Sequence, residues 1–83
     1  MKFEWDDAKE IANFAKHGVD FSSVPVAFQD SRRLFIRYPG LTQRETRWQL
    51  VGFDGSVILT VRFTLRRGWV RLIGAGYWLK QNL

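Results

Sequence analysis

The sequence predicts one α+β domain over residues 1–83, in which two N-terminal helices pack on one face of a twisted antiparallel sheet of three to five strands. Three observations support this fold class. Apolar residues recur at helical spacing up to Phe28, the spacing changes to every second residue from Arg32 onward, and two pairs of turn residues divide the second part into short segments. A chain of 83 residues leaves room for one small domain.

The first helix is predicted to begin at Asp6 or Asp7 and to end at Gly18. Aspartate can cap a helix, Glu10 can complete a capping box, and glycine ends helices because it tolerates a left-handed backbone. One stripe of this helix is apolar and is expected to face the sheet; it consists of Ala8, Ile11, Ala12 and Ala15. A second, shorter helix is expected to follow a cap at Asp20, Ser22 or Ser23. Its shared apolar face consists of Phe21, Val24 and Phe28.

Four strands are predicted over residues 32–38, 46–53, 57–65 and 69–75, because β-branched and aromatic residues alternate there with polar ones. Two turns separate the last three strands. Asp54-Gly55 is a strong signal for a two-residue hairpin turn, and Arg67-Gly68 is a weaker one. Together the two turns predict a register for the whole hairpin series.

In that register the two faces of the sheet differ in chemistry, because side chains alternate across each strand. The buried face is expected to hold Trp48, Leu50, Val57, Leu59, Val61, Phe63, Leu65, Val70 and Leu72. The opposite face, called the arginine face below, carries Arg47, Arg62, Arg66 and Arg71. Arg47 is predicted to lie directly opposite Arg62. Facing like charges destabilise a sheet, so this pair is expected to bind a phosphate.

The net charge of +5 is unevenly distributed along the chain. Residues 1–30 contain three lysines and six acids, whereas residues 31–83 contain nine arginines and one lysine against two acids. An arginine-rich region favours a polyanion such as nucleic acid as the partner, with a merely solvated basic surface as the alternative. The absence of cysteine, of a long apolar run and of a signal-like N-terminus predicts a cytoplasmic protein without disulfides.

The residue types exclude several kinds of chemistry. One histidine, no cysteine and scattered acids predict neither a metal site nor a cofactor, and the glycines do not form a phosphate-binding loop. Cleavage of RNA without a metal remains, since the substrate supplies its own 2′-hydroxyl nucleophile. His17 is the first candidate for proton transfer and Glu45 the second. The candidates for stabilising charge on the phosphate are Arg47, Arg62 and Arg71.

Further side chains are candidates for binding the RNA itself: Lys16, Thr64, Arg66, Trp69 and Tyr77. Trp69 beside Arg66 could stack a base, although a packing role is the alternative. His17 could equally be a histidine that interacts with the dipole at the end of the first helix. Glu45 could be an ion-pair partner of a neighbouring arginine. These alternatives stay open at the level of the sequence.

A series of ordered motifs resembles the BrnT family of bacterial toxins across nearly the whole chain. The motifs are Phe3-Glu4-Trp5-Asp6, Lys9, Asn13, Lys16-His17-Gly18-Val19, Phe21, Phe28 and Asp30, Glu45 and Arg47, Gly52, Thr64, and Arg71-Leu72-Ile73. The resemblance implies a compact RelE-like α+β domain and a ribonuclease that halts translation. It also implies a BrnA-type antitoxin as the neutralising partner, with DNA contacted only through the antitoxin complex.

The sequence departs from the family pattern after the last predicted strand. Family members typically continue with Ser-Ala-Arg and a helix carrying Glu and Tyr, whereas residues 74–80 read Gly-Ala-Gly-Tyr-Trp-Leu-Lys here. An arginine and a C-terminal helix are therefore expected to be missing. Two function classes remain: an RNA-cleaving toxin, weakened or using Tyr77 or Lys80 instead, and a non-catalytic module that docks an antitoxin or nucleic acid through the arginine face.

Overall fold

A computed structural model describes residues 1–39 and 46–79 of the chain. The helical elements are α1 (Asp7–His17), a 3₁₀ turn (Phe21–Ser23) and the five-residue helix α2 (Val24–Phe28). The strands are β1 (Lys2–Glu4), β2 (Leu34–Pro39), β3 (Thr46–Phe53), β4 (Ile58–Arg66) and β5 (Trp69–Tyr77). The strands form one sheet in the order β1-β5-β4-β3-β2.

The predicted fold class is wrong. The sheet is mixed rather than antiparallel, because β1 pairs with β5 in parallel while the other three pairings are antiparallel. Strands dominate the described residues, the first regular element is a strand, and the helices α1 and α2 have only 11 and 5 residues. A three-residue strand is too short to show a period of two, so β1 was not predicted from the sequence. The five strands found in residues 1–39 and 46–79 lie within the predicted range of three to five.

The ends of α1 follow the predicted local signals. The Asp6 side chain caps the helix by accepting from the Ala8 N–H (2.8 Å), and Gly18 ends it with φ +74°. The predicted apolar stripe, however, is wrong: all four of its residues are exposed, with Ile11 71% accessible to solvent. The buried residue of α1 is Asn13. Its hydrogen bonds to β5 place the side of the helix that carries Asn13, and not the apolar stripe, against the sheet.

The core lies between α2 and the sheet face turned toward it. The predicted common burial of Phe21, Val24 and Phe28 is confirmed, although Phe21 lies in the 3₁₀ turn and not in α2. They are buried together with Leu50, Leu59, Val61, Phe63, Val70 and Leu72. The Phe28 ring contacts the rings of Phe3 and Phe63 at centroid distances of 5.0 Å each. Two residues predicted for the core are exposed: Val57 lies in a turn, and Leu65 lies at the open end of the core.

The two hairpin turns differ in outcome. Around Arg67-Gly68 the predicted pairing is confirmed from Arg66 opposite Trp69 to Phe63 opposite Leu72, with positive φ at both turn residues. A β-bulge at Ile73 then shifts the rest of β5 by one residue. The first turn is centred one residue later than predicted, because the N–H groups of Ser56 and Val57 both donate to the Asp54 side chain.

This displaced turn shifts the β3–β4 register by two residues. Arg47 therefore lies opposite Thr64, and Arg62 lies opposite Gln49, so the predicted facing arginine pair is wrong. A shift of two keeps every side chain on its predicted face, whereas a shift of one would have exchanged the faces. The four arginines therefore still share one side of the sheet.

Candidate functional site

The position of α1 depends on Asn13. Its Oδ1 accepts from the Ala75 N–H (3.1 Å), and its Nδ2 donates to the Ala75 carbonyl (2.9 Å) and to the Val19 carbonyl (3.3 Å). One side-chain amide thus bonds the edge of β5 as a neighbouring strand would. Since β1 pairs with β5 only as far as Arg71, Asn13 covers a part of that edge which β1 leaves free. The contact holds the second half of α1 beside the sheet.

A basic cleft lies between α1 and the sheet as a result. Four of its side chains can carry positive charge: Lys9, Lys16, His17 and Arg62. Asn13 and Ile73 form part of its walls, and its volume is about 220 Å³. No side chain in the cleft is acidic, so the local field attracts anions.

Arg62 reaches this cleft by passing over a glycine of the neighbouring strand. A Cβ atom placed on Gly74 would lie 2.5 Å from Nη2 of Arg62 and 3.3 Å from Oδ1 of Asn13. Any side chain at this position would therefore displace the guanidinium from its place beside α1. Gly74 lies opposite Arg62 in the sheet, next to the bulge at Ile73. The bulge and the glycine together open the path for Arg62.

His17 supplies the imidazole of the cleft. It is half-buried, and this burial is the main cause that lowers its pKa below the ordinary value of 6.5. The positive charges of Lys16 and Arg62 lower the pKa further, in that order. The imidazole is therefore neutral near pH 7, the form that can accept a proton.

The arginine face extends from the cleft across the sheet. Arg47, Thr64 and Arg71 form one row across β3, β4 and β5, while Arg62 belongs to the adjacent row. Nη1 of Arg71 lies 3.6 Å from Oε1 of Glu4, a long and partly exposed ion pair that contributes little to stability. Among the described residues, Nε of Arg47 is buried without a hydrogen-bond partner. A buried unpaired donor is costly, so an anion that reached it would be bound favourably.

A second groove lies at the far end of the arginine face. Arg66, Trp69 and Arg71 line it together with Glu4 and Arg67. Nζ of Lys2 lies 5.3 Å from the centre of the Trp69 ring, so a cation occupies one face of that ring. The other side chains of the groove leave room for a ligand beside the tryptophan.

Three further candidates have other surroundings. Thr64 is only 2% exposed, beneath its neighbours in the row. Tyr77 packs against the core and donates its hydroxyl to the Gly18 carbonyl (3.2 Å), next to His17. Glu45 lies outside the described residues. The structure thus brings His17, Lys16 and Arg62 together in one cleft.

Lys9 and Asn13 line this cleft but were not among the predicted site residues. With Lys16 and His17 they follow the spacing i, i+4, i+7 and i+8, which places four polar residues on one side of a helix. The predicted apolar stripe of α1 has the same helical periodicity. Either the polar or the apolar side of such a helix can face a sheet. The spacing of the polar residues was therefore the one signal in the sequence that could have indicated the cleft.

The described residues contain no group of three or more His, Asp or Glu side chains that could hold a metal ion. None of the helices in the described ranges is long and apolar enough to span a membrane.

Basic side chains around a neutral histidine, beside a row of arginines, are typical of a surface that binds a polyanion such as nucleic acid. The family model for the ribonuclease toxin BrnT of type II toxin–antitoxin systems matches residues 5–82. The chain therefore belongs to the BrnT family, which implies an RNA target and an antitoxin partner. No match to the chain was found among curated proteins.

Proposed function

We propose that this chain is a metal-independent ribonuclease that acts in the cytoplasm, inhibits translation by cleaving RNA, and is neutralised by a BrnA-type antitoxin. The observation that carries the proposal is the basic cleft, in which a neutral histidine lies beside Lys16 and Arg62. These are the group types that cleavage by the 2′-hydroxyl requires: a proton acceptor, and cations for the charge that develops on the phosphate.

In the proposed reaction, His17 takes the proton of the 2′-hydroxyl. The 2′-oxygen forms a bond to phosphorus as the bond from phosphorus to the 5′-oxygen breaks. The products are a 2′,3′-cyclic phosphate and a 5′-hydroxyl end, whose oxygen takes a proton from Lys16 or from water. His17 then returns its proton to the solvent, and Lys16, where it was the donor, takes up a proton from the solvent. Both residues are therefore unchanged at the end of the cycle.

Different arginines bind different phosphates of the RNA. Arg62 holds the reacting phosphate because it shares the cleft with His17. Arg47 and Arg71 bind flanking phosphates along the row next to Arg62, and Arg66 and Trp69 bind the RNA beyond them. Thr64 is buried within the row of Arg47 and Arg71, and Tyr77 contacts the end of α1 through the Gly18 carbonyl, next to His17. Glu45 is the second candidate for the base.

The reaction is tested with a short RNA in buffer containing EDTA, beside a matched RNA that lacks a single 2′-hydroxyl at the cleaved position. The first RNA should be cut to a cyclic phosphate end, and the second should remain intact at that bond. Cleavage that disappears with EDTA would contradict the metal-independent mechanism. Binding of both RNAs without cleavage of either would favour the non-catalytic module that docks a partner through the arginine face.

Replacing Arg62 by glutamine should weaken RNA binding and make it less sensitive to salt. Each phosphate contact adds about one unit to the slope of log affinity against log salt, so the slope should fall by about one. Fluorescence anisotropy at several salt concentrations measures this. Arg32→Gln removes the same charge from an exposed turn outside the cleft, and should leave the slope unchanged. Equal slopes for wild type and Arg62→Gln would place the phosphate elsewhere.

A further inference from the structure

The outer edge of β2 is an unusual feature of this surface. β2 is the last strand of the sheet, and no described strand pairs with its outer side. Three consecutive apolar residues along it are exposed: Leu34 is 62%, Phe35 43% and Ile36 46% accessible. Proteins usually protect such edges with charges, bulges or prolines, because an open apolar edge pairs readily with another strand.

The hydrogen-bond pattern shows which backbone groups of β2 point away from β3 and have no partner strand among the described residues. In the β3–β4 turn the N–H of Asp54 donates to the carbonyl of Val57 (3.1 Å), so it points toward the β4 side. The N–H and C=O groups of successive residues in a strand point in opposite directions. Val51 lies three residues before Asp54, so its N–H and C=O point toward β2 and pair with Leu34. The N–H and C=O groups of Phe35 and Arg37 therefore point away from β3, toward the open edge.

An apolar groove adjoins the same edge on the core side of the sheet. Its volume is about 220 Å³ and no polar surface lines it. Its walls include Phe28, Phe35, Trp48, Phe63 and Leu65. Side chains of an added strand would alternate between this groove and the opposite side, where Leu34 and Ile36 are exposed. Both sides of the edge thus favour apolar side chains in the partner.

Charge defines the partner further. Arg37 lies on β2 and Arg33 lies just before it. The guanidinium group of Arg33 lies over the Phe35 ring (5.2 Å), and that of Arg37 lies over the Trp48 ring (5.9 Å). Within the described residues neither forms an ion pair. A second copy paired antiparallel about Phe35 would set Arg33 opposite Arg37, which is unfavourable. An acidic partner segment is favoured instead.

We propose that an extended segment of the antitoxin, acidic and with apolar residues on both sides, adds to the outer edge of β2 as a sixth strand. The identity of the partner as an antitoxin rests on the proposed function. Main-chain hydrogen bonds from Phe35 and Arg37 supply affinity in this mode of binding, while the groove and the arginines select the sequence of the segment.

Amide hydrogen exchange, followed by NMR, tests the geometry directly. The probe is the antitoxin encoded beside the gene of this chain. In the free chain the amides of Leu34 and Ile36 should exchange slowly and those of Phe35 and Arg37 quickly. In the complex, Phe35 and Arg37 should become as protected as their neighbours. Unchanged exchange at both amides in the complex would overturn the proposal.

A matched pair of variants separates the backbone from the side chain. Arg37→Ala and Arg37→Pro both remove the charge and the contact with Trp48, but only proline removes the N–H at the open edge. Proline is tolerated on edge strands, and its N–H is not needed by β3. The proline variant should bind the antitoxin about tenfold more weakly than the alanine variant. Equal affinities would contradict strand addition.

Two controls keep this result distinct from the proposed function. RNA cleavage by Arg37→Pro should equal that of wild type, because Arg37 lies outside the basic cleft. If wild type does not cleave RNA, the proposed function fails while the affinity comparison still decides the strand addition. Light scattering of the free chain should show a monomer. A dimer that Arg37→Pro disrupts and Arg37→Ala does not would assign the edge to a second copy and overturn the proposal.

Discussion

Replacing His17 by alanine is expected to slow RNA cleavage by about 10²–10⁴-fold, the usual cost of removing a general base. His17 is the neutral proton acceptor of the basic cleft, and the nearby Lys16 and Arg62 carry charge there. Initial rates on a defined RNA measure the effect. RNA binding by the variant should change far less than its rate, because the arginines remain in place.

A variant on the opposite side of the same helix serves as the control. Ile11 is 71% exposed, so Ile11→Ala should leave both cleavage and thermal unfolding unchanged. His17→Ala should also unfold at the temperature of wild type, since the histidine makes no described hydrogen bond that the fold requires. Full activity in His17→Ala would assign the residue to the helix dipole and leave Glu45 or Tyr77 as the next candidate.

The pH profile gives a second measure of the same residue. A histidine can accept a proton only when its imidazole is neutral, and the pKa of His17 is lowered from 6.5, so cleavage should persist below pH 6.5 before it declines. Arg62→Gln removes one of the charges that lower this pKa, and should move the decline toward pH 6.5. For stability the sign is opposite to that of a histidine whose pKa is raised by an acidic partner. Below pH 6.5 the unfolded chain takes up a proton first, so this residue slightly destabilises the fold in acid.

Asn13→Ala is expected to lower the free energy of unfolding by about 3 kcal/mol. The change removes three hydrogen bonds and leaves the N–H and C=O of Ala75 and the carbonyl of Val19 buried without their partner. Each buried group left unsatisfied costs about 1–3 kcal/mol. Urea denaturation at pH 7 measures the difference, and the same variant should lose cleavage because α1 is no longer held beside Arg62.

Phe14→Ala is the matched control for this experiment, because it changes the next residue of the same helix. Phe14 is 56% exposed, so its replacement should alter the free energy of unfolding by less than about 1 kcal/mol. If Asn13→Ala were as stable as Phe14→Ala, the amide would not be what holds α1 against β5. Arg62→Gln alone, with Asn13 intact, should leave the free energy of unfolding unchanged. The comparison separates the structural role of Asn13 from the phosphate-binding role of Arg62.

The sequence by itself determined the local features of this protein. Asp6 and Gly18 bound α1 because caps act on backbone groups within one helical turn. The limits of β3 and the Arg67-Gly68 turn followed from patterns only a few residues long. The division of the sheet into a buried face and an arginine face was also predicted. It survived the error at Asp54 because a register shift of two preserves the direction of every side chain.

Only the tertiary structure decided which side of α1 faces the sheet and what the cleft contains. The amide of Asn13 reaches the edge of β5, 62 residues further along the chain, and this contact outweighs the burial of Ile11 and three alanines. The parallel pairing of β1 with β5 likewise joins Phe3 to Val70. Such contacts depend on where distant backbone groups are left without partners, and no local pattern records that. The meeting of His17 with Arg62, on which the proposed chemistry depends, follows from these long-range hydrogen bonds.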